Sequence, residues 1–246
     1  MVSGPFVDGC NRLLIHAHNA TQNLSFHFRV MIIWRRSASE LLPRASPPSR
    51  LAISKRILNT MQRLETSLPG VWELRPKVFR DTRGFFIETY HRARLAELGI
   101  TDIFVQDNHS SSVKGTLRGL HYQTHHQQAK LCRVVEGEAL DVAVDIRVGS
   151  PHFGKYASVL LSAKENNQLF IPAGFAHGFL ALTESVHFLY KCSEYYNPDD
   201  EHGVLWSDSD LKICWEAANP LVSEKDARNP KLADIPIEFL PRYPRK

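Results

Sequence analysis

Apolar and polar residues alternate with a period of two over much of the chain from Val71 onward. Residues 140–147 read Leu-Asp-Val-Ala-Val-Asp-Ile-Arg, which predicts a half-buried strand with its apolar side facing a core. Similar short runs predict strands at 131–135, 156–162, 169–171, 177–182 and 186–192. Turn sequences such as Glu-Gly-Glu at 136–138 and Asn-Pro-Asp-Asp at 197–200 separate the strands.

Helical periodicity is rare in this sequence. One short helix is predicted over residues 90–98, closed by Gly99, and a weaker one near residues 223–228. Many short strands with few helices indicate an all-β sandwich or barrel, and a jelly roll is the natural closed arrangement.

The first 60 residues differ from the rest both in the pattern of apolar and polar residues and in charge. They hold eight of the 30 Lys and Arg residues but only two of the 26 Asp and Glu residues. We interpret residues 1–60 as a disordered, basic N-terminal extension outside the domain, with an organelle transit peptide as the alternative. Residues 61–246 then form the domain, and Met61 is a natural start for it. Because the basic surplus lies in the extension, no nucleic-acid partner is expected.

The remaining composition is that of an ordinary globular protein, with 43% apolar and 23% charged residues. No apolar run approaches the roughly 20 residues of a membrane-spanning helix, so no membrane partner is expected. The four cysteines are scattered and form no CxxC pair. This pattern predicts reduced thiols and a cytoplasmic location.

The densest group of polar residues lies in residues 106–109 and 114–123. No GxGxxG, P-loop or GxSxG motif is present. Arg118 and His121 are three residues apart, so in a regular strand they would face opposite ways. Gly119 between them can bend the backbone and bring both to one pocket. The alternative is that the two residues share no pocket, with Arg118 an ordinary surface arginine and His121 an ordinary buried histidine.

A second cluster, Pro-Ala-Gly-Phe-Ala-His-Gly-Phe at 172–179, contains the PxGxxH pattern of cupin barrels, which points His177 into the barrel mouth. Metal-binding cupins add ligands from an earlier HxH segment. Here that segment reads His-Tyr-Gln-Thr-His-His at 121–126 and contains no HxH. The cationic Lys130 follows closely. A cation opposes a bound metal ion. We therefore expect no metal site.

Beyond these clusters, long stretches of the sequence resemble one family. They include Phe-Arg-Asp-Thr-Arg-Gly-Phe-Phe-Ile-Glu at 79–88, Gln-Asp-Asn-His-Ser at 106–110 and Leu-Arg-Gly-Leu-His-Tyr-Gln at 117–123. Further matches lie at 130–131, 141–147, 172–179, 188–191, 195–196 and 223–226. Together they resemble the dTDP-4-dehydrorhamnose 3,5-epimerase family, from about residue 61 to about residue 234. The resemblance implies a cupin-type jelly roll, also called a double-stranded β-helix.

The resemblance also implies a reaction without a cofactor. In this family a 4-keto-6-deoxy sugar on dTDP loses a proton from one face at C3 and C5 and regains one on the other. The matching positions imply that His121 is the base, Asp226 its partner and Tyr190 the acid. Lys130 would stabilise the enolate oxygen.

Binding residues follow from the same matches, on the expectation of a dTDP-sugar substrate and a homodimer. Arginine and lysine suit the diphosphate, and an aromatic ring at position 196 suits stacking on thymine. The implied substrate-binding residues are Arg83, Glu88, Gln106, Asp107, Asn108, Arg118, His177, Tyr196, Glu201 and Lys225.

Three alternatives stay open at this point. The first is a related epimerase that acts at C3 only or at C5 only. The second is a metal-dependent cupin oxygenase, and the third is a sugar-binding cupin without catalytic activity. Metal content separates the oxygenase from the epimerases. Exchange of solvent deuterium into the sugar separates an enzyme from a binding module.

Overall fold

The structure is a computed structural model that describes residues 61–244, so the predicted extension over residues 1–60 lies outside the described residues. The strands are β1 (Met61–Glu65), β2 (Trp72–Pro76), β3 (Val78–Asp81), β4 (Gly84–Ile87), β5 (Gln106–Val113), β6 (Thr116–Gln123), β7 (Lys130–Glu136), β8 (Glu138–Asp145), β9 (Tyr156–Ser162), β10 (Gln168–Ile171), β11 (Phe175–Ala181), β12 (Ser185–Cys192), β13 (Glu201–Gly203) and β14 (Leu221–Val222). Two short α-helices, α1 (Arg92–Glu97) and α2 (Glu224–Ala227), accompany three 3₁₀ turns at Pro198–Asp200, Leu232–Asp234 and Ile237–Phe239.

The central strands pair in a nested order. β8 pairs with β9, β7 with β10, β6 with β11 and β5 with β12, all antiparallel. Strands β5 to β12 therefore form one long hairpin, which folds over into two sheets. The first sheet has the order β1-β2-β10-β7-β12-β5 and the second β13-β6-β11-β8-β9, with β14 parallel to β6. This nesting is a jelly roll, as the strand pattern predicts.

The main core lies between the two sheets. Phe179 of β11 and Phe188 of β12 stack with ring centroids 4.0 Å apart. Around them, Cys132, Val134, Leu169 and Val186 of the first sheet meet Ala139, Ala143, Leu161 and Phe175 of the second. Burying such side chains contributes about 1.5–3 kcal/mol each. This core fixes the spacing between the sheets, and hence between residues that they carry.

The prediction of a half-buried β8 is wrong, because both faces of this strand are covered. Val142 and Val144 pack under the C-terminal segment, against Trp215, Leu232 and Leu240. Asp141 and Asp145 face the other way and are also fully buried. Inside the protein, Asp141 forms a hydrogen bond with His177, and Asp145 forms a salt bridge with Arg147. Alternation with polar residues therefore marks internal polar contacts here, and not exposure to solvent.

Both predicted helices are present, each slightly shorter than the pattern suggests. Leu95 of α1 packs on the outer face of the first sheet with Leu74 and Phe170. Helix α2 begins at Ser223, whose hydroxyl accepts a hydrogen bond from the backbone N–H of Asp226. No helix in the described part of the chain has the length and apolar character needed to cross a membrane.

The covering of β8 leads to a prediction about stability. Leu232→Ala should lower the free energy of unfolding by roughly 2–5 kcal/mol, because it opens a cavity over the second sheet. Ile237→Ala is the matched control, since Ile237 lies in the same segment but is 55% exposed, and it should change stability far less. Urea denaturation measures both. Equal effects of the two substitutions would show that the C-terminal segment does not seal this sheet.

Candidate active site

A cavity of about 410 Å³ is lined by residues of both sheets. Ser110, Lys130 and Tyr190 line it from the first sheet, and Arg118, His121 and His177 from the second. The remaining lining residues are Thr116, Leu117, Gly178, Phe179, Glu201, Leu221, Ser223, Lys225 and Asp226. A smaller cavity of about 250 Å³ adjoins it and shares His121, Lys130, Tyr190 and Glu201. These four residues therefore mark the centre of one continuous site.

His121 and Asp226 form a hydrogen-bonded couple on one side of this centre. The imidazole Nε2 lies 2.7 Å from Asp226 Oδ1, and the backbone N–H of Gly119 donates to Oδ2 at 3.2 Å. Burial alone would raise the pKa of Asp226, but the hydrogen bonds from His121 and Gly119 outweigh it and hold the pKa below its usual value. Asp226 thus stays anionic and orients the imidazole.

The position of His121 depends on an irregularity in β6. His177 is opposite His121, but Phe179 is opposite Arg118, so the register slips between these pairs. Gly119 lies at the slip with φ +118°, and a Cβ there would come within 2.6 Å of the Gly178 Cα. Only glycine fits this approach. Arg118 and His121 consequently line one cavity, as the sequence predicts.

Tyr190 and Lys130 face the couple from neighbouring strands of the first sheet. Burial raises the pKa of Tyr190 to about 12, so its hydroxyl keeps a proton at every physiological pH. The Lys130 ammonium lies 6.0 Å from the Tyr190 ring centroid. Lys130 is largely buried, and no carboxylate within residues 61–244 forms a salt bridge with it. Its charge is therefore free to act on a ligand.

A second histidine couple lies deeper, where His177 Nε2 is 2.5 Å from Asp141 Oδ1 and 3.8 Å from Cys132 Sγ. All three side chains are buried. Their donor atoms lie within 4.8 Å of one another, which is close enough for them to share one metal ion. Burial lowers the pKa of His177 despite Asp141, and the Lys130 charge lowers it further. The short contact is a hydrogen bond, and a nearby ammonium opposes a cation. These residues do not fit a metal centre.

The smaller cavity carries a polar network around Tyr196. The Tyr196 N–H donates to Gln106 Oε1 at 2.8 Å, and its hydroxyl donates to Glu201 Oε2 at 2.7 Å. Lys225 also donates to Glu201. Burial would raise the pKa of Glu201, but the bonds from Lys225 and Tyr196 lower it overall. Asn108 completes this wall beside Gln106.

The structure does not bring three of the sequence-predicted residues to this site. Asp107 alternates with Gln106 and Asn108, so it faces the outer side of the sheet, where its carboxylate accepts from Lys191 at 2.7 Å. Arg83 and Glu88 belong to the separate β3–β4 hairpin region, and neither lines the two cavities. Arg83 is 87% exposed and pairs with Asp81, while Glu88 pairs with Arg94.

Other lining residues were not predicted from the sequence. Ser110, Gln128, Phe179 and Cys192 contribute to one cavity or the other. The period of two along β5 would have identified Ser110, because it shares a face with Gln106 and Asn108. Phe179 and Cys192 look like ordinary core residues in the sequence, and no local pattern marks them as lining a site.

Comparison with known proteins gives a family for this arrangement. The family model described as dTDP-4-dehydrorhamnose 3,5-epimerase matches residues 65–234. The chain belongs to this family. A dTDP-4-dehydrorhamnose 3,5-epimerase of Shigella flexneri is 49% identical over 176 residues, which are 71% of this chain and 97% of that protein. One of Neisseria gonorrhoeae is 49% identical over 187 residues, covering 76% of this chain but 57% of that longer protein.

A solved structure supports the family's fold directly. The dTDP-6-deoxy-D-glucose-3,5-epimerase of Legionella pneumophila, solved in complex with dTDP-4-keto-L-rhamnose, superposes with a TM-score of 0.74 and is 46% identical. The match covers 75% of this chain and all of that one. The chain is thus an epimerase, an enzyme of the isomerase class, with the cupin-type jelly roll of its family.

The contact between Gly119 and Gly178 leads to a prediction about this epimerase. Gly119→Ala should lower activity by roughly 10²-fold, because a Cβ forces β6 away from β11 and shifts His121 from Asp226. Gly115→Ala is the matched control. Gly115 also has a positive φ, +81°, but a Cβ there meets no atom within 4 Å. Turnover and melting temperature are measured for both. Similar losses in the two variants would contradict a specific role for the close contact.

Proposed function

We propose that this enzyme epimerises dTDP-4-dehydro-6-deoxy-D-glucose at C3 and C5 to give dTDP-4-dehydro-L-rhamnose, in deoxysugar biosynthesis. The observation that carries the proposal is the pairing of two different proton-transfer groups across one cavity. The His121–Asp226 couple belongs to the second sheet and its adjoining helix, and Tyr190 to the first sheet. Epimerisation through an enolate needs an acid and a base on opposite faces of the sugar ring.

His121 acts as the base through a defined nitrogen. Nε2 is engaged with Asp226, so Nδ1 is the nitrogen left to accept the proton from the sugar. The C–H bond breaks, its electron pair forms the C=C bond, and the C4 oxygen becomes an enolate oxygen. Asp226 stabilises the imidazolium that results, as the carboxylate does in other histidine couples. The Lys130 ammonium stabilises the negative oxygen.

Tyr190 returns a proton to the opposite face. Its hydroxyl carries that proton without a standing charge, because burial raises the pKa of Tyr190 to about 12. The C=C bond accepts the proton, the ketone reforms at C4, and the configuration at the carbon is inverted. No step needs a redox group. His121 then releases its proton to solvent and the Tyr190 oxygen regains one, and the same exchange at the second carbon completes the reaction.

The rest of the site suits a nucleotide diphosphate. Arg118 and Lys225 supply positive charge for the phosphates. Tyr196 supplies an aromatic face for the thymine, with Gln106, Asn108 and Glu201 as polar contacts nearby. His177 lines the sugar end of the larger cavity. The free thiols of the buried Cys132 and Cys192 support a cytoplasmic location.

The enzyme is proposed to work as a homodimer in which each chain completes its partner's site. Phe79, Phe85 and Phe86 on the β3–β4 hairpin are 47–69% exposed, an apolar surface that suits a second protein copy. Arg83 lies at the tip of this hairpin. A hairpin that reaches a partner's cavity would bring Arg83 and Glu88 to the diphosphate, which they do not reach within one chain.

The division of labour between base and acid gives an isotope prediction. His121→Ala should stop deuterium incorporation from D₂O at both carbons, because proton removal is lost. Tyr190→Phe should keep exchange on the original face, while net inversion falls roughly 10²–10⁴-fold. NMR of the sugar measures incorporation and configuration separately.

Melting temperatures control for misfolding in this experiment. A well-folded His121→Ala protein that exchanges at the wild-type rate would refute the assignment of the base. If the wild-type enzyme incorporates deuterium at one carbon only, it is an epimerase that acts at that single carbon, and the proposed activity at both carbons is wrong.

The shared site of the homodimer gives a complementation prediction. Arg83→Ala and His121→Ala should each lose activity alone, yet co-expressed chains should recover about a quarter of wild-type turnover. Half of randomly paired dimers are mixed, and each mixed dimer holds one intact site. Wild type co-expressed with His121→Ala is the reference. Activity no higher than that of Arg83→Ala alone would mean that Arg83 acts within its own chain.

A further inference from the structure

The inner face of β5 carries a row of four polar side chains at alternate positions: Gln106, Asn108, Ser110 and Ser112. Three of them have partners. Gln106 donates to Asn108 at 3.0 Å, Asn108 donates to Cys192 Sγ at 3.6 Å, and Ser112 accepts from Arg118 at 3.1 Å. Ser110 differs, because its Oγ is buried and has no hydrogen-bond partner among residues 61–244.

Ser110 lines the larger cavity from the first sheet. Asn108 lies opposite Tyr190 on β12, and Ser110 lies opposite Phe188, one inward step further along. Phe188 is fully buried and stacks on Phe179, which gives Ser110 an apolar neighbour on β12, while Ser112, the next inward residue of β5, is bonded to Arg118. The same cavity is lined by His121 and Lys130. Ser110 is thus a neutral polar group of the cavity wall, between the level of Tyr190 and the position of Arg118.

An unpaired buried hydroxyl lowers stability, and alanine of nearly the same size would avoid that loss. An unpaired buried hydroxyl is explained in an enzyme if the bound ligand supplies its hydrogen-bond partner. Ser110 lines the cavity, and a change of the χ1 rotamer turns a serine hydroxyl by about 120°, which lets Oγ reorient towards a ligand.

The charges around the cavity indicate which part of the ligand lies at Ser110. Arg118 and Lys225 are exposed, and the Arg118 guanidinium is held one step beyond Ser110, by Ser112 Oγ and the Ser111 carbonyl oxygen. Ser110 itself offers a neutral hydroxyl one step from the level of Tyr190, and such a group pairs well with a neutral hydroxyl of the ligand. We propose that Ser110 is a substrate-contacting residue that hydrogen-bonds a hydroxyl of the sugar ring. This inference rests on the proposed function, because it requires a dTDP-sugar whose sugar lies between His121 and Tyr190.

The test compares Ser110→Ala with Ser111→Ala, the neighbouring serine that faces outward and is exposed. For Ser110→Ala, kcat/KM on the dTDP-4-keto sugar should fall roughly 2- to 13-fold, the factor that corresponds to one neutral hydrogen bond. The dissociation constant of dTDP alone should stay within about twofold of wild type, and the melting temperature should be equal or higher. Ser111→Ala should match wild type in all three measurements.

Each contrary outcome has a distinct meaning. Wild-type kcat/KM in Ser110→Ala would overturn the contact. An equal loss of dTDP binding would assign Ser110 to the nucleotide and overturn the sugar assignment. A lower melting temperature with a proportional loss of activity would reduce Ser110 to a packing residue. Deuterium exchange by the wild type is measured in parallel. Its absence would refute the proposed function and this inference with it, whereas exchange with an unaffected variant refutes this inference alone.

Discussion

The contact between β6 and β11 at two glycines is the constraint on which the site depends. A Cβ on Gly119 would lie 2.6 Å from Gly178, and a Cβ on Gly178 would lie 2.6 Å from the Arg118 carbonyl oxygen. With neither present, the two backbones approach closely and the register slips by one residue between them. The slip turns His121 inward while Arg118 also reaches the cavity. It also leaves the Gly119 N–H free to hold Asp226.

That constraint matters because the groups proposed to transfer protons are held by different rigid elements. His121 lies on one sheet, Tyr190 on the other, and the stacked rings of Phe179 and Phe188 separate the sheets just below them. Asp226 comes from α2, which is capped by Ser223 and contacts β6. Preorganised positions of this kind lower the reorganisation needed during reaction. The same core that stabilises the fold therefore sets the distance between His121 and Tyr190.

The sequence predicts the architecture well and the interior charges poorly. Alternation in residues 140–147 identifies the β8 strand, but it cannot reveal that the C-terminal segment, more than 60 residues later, covers the second face. Asp141 consequently looks exposed in the sequence and is fully buried in the structure. The bend at Gly119 is local and could be foreseen, whereas its partner Gly178 could not. The roles proposed for His121, Tyr190 and Lys130 rest on family resemblance, because spacing alone gives no direction for their side chains.

The polar row on β5 shows why strand periodicity is a weaker guide at a site than in a core. In β8 the apolar residues indicate which side is buried. In β5 both sides are polar, with Gln106 and Asn108 facing the cavity and Asp107 facing outward. A family motif that spans all three residues makes them look equivalent, but a strand turns Asp107 away from its neighbours. The inward residues of β5 also differ in their hydrogen bonds. Gln106, Asn108 and Ser112 are held in place by protein partners, whereas the Ser110 hydroxyl has none among residues 61–244 and is left to a ligand.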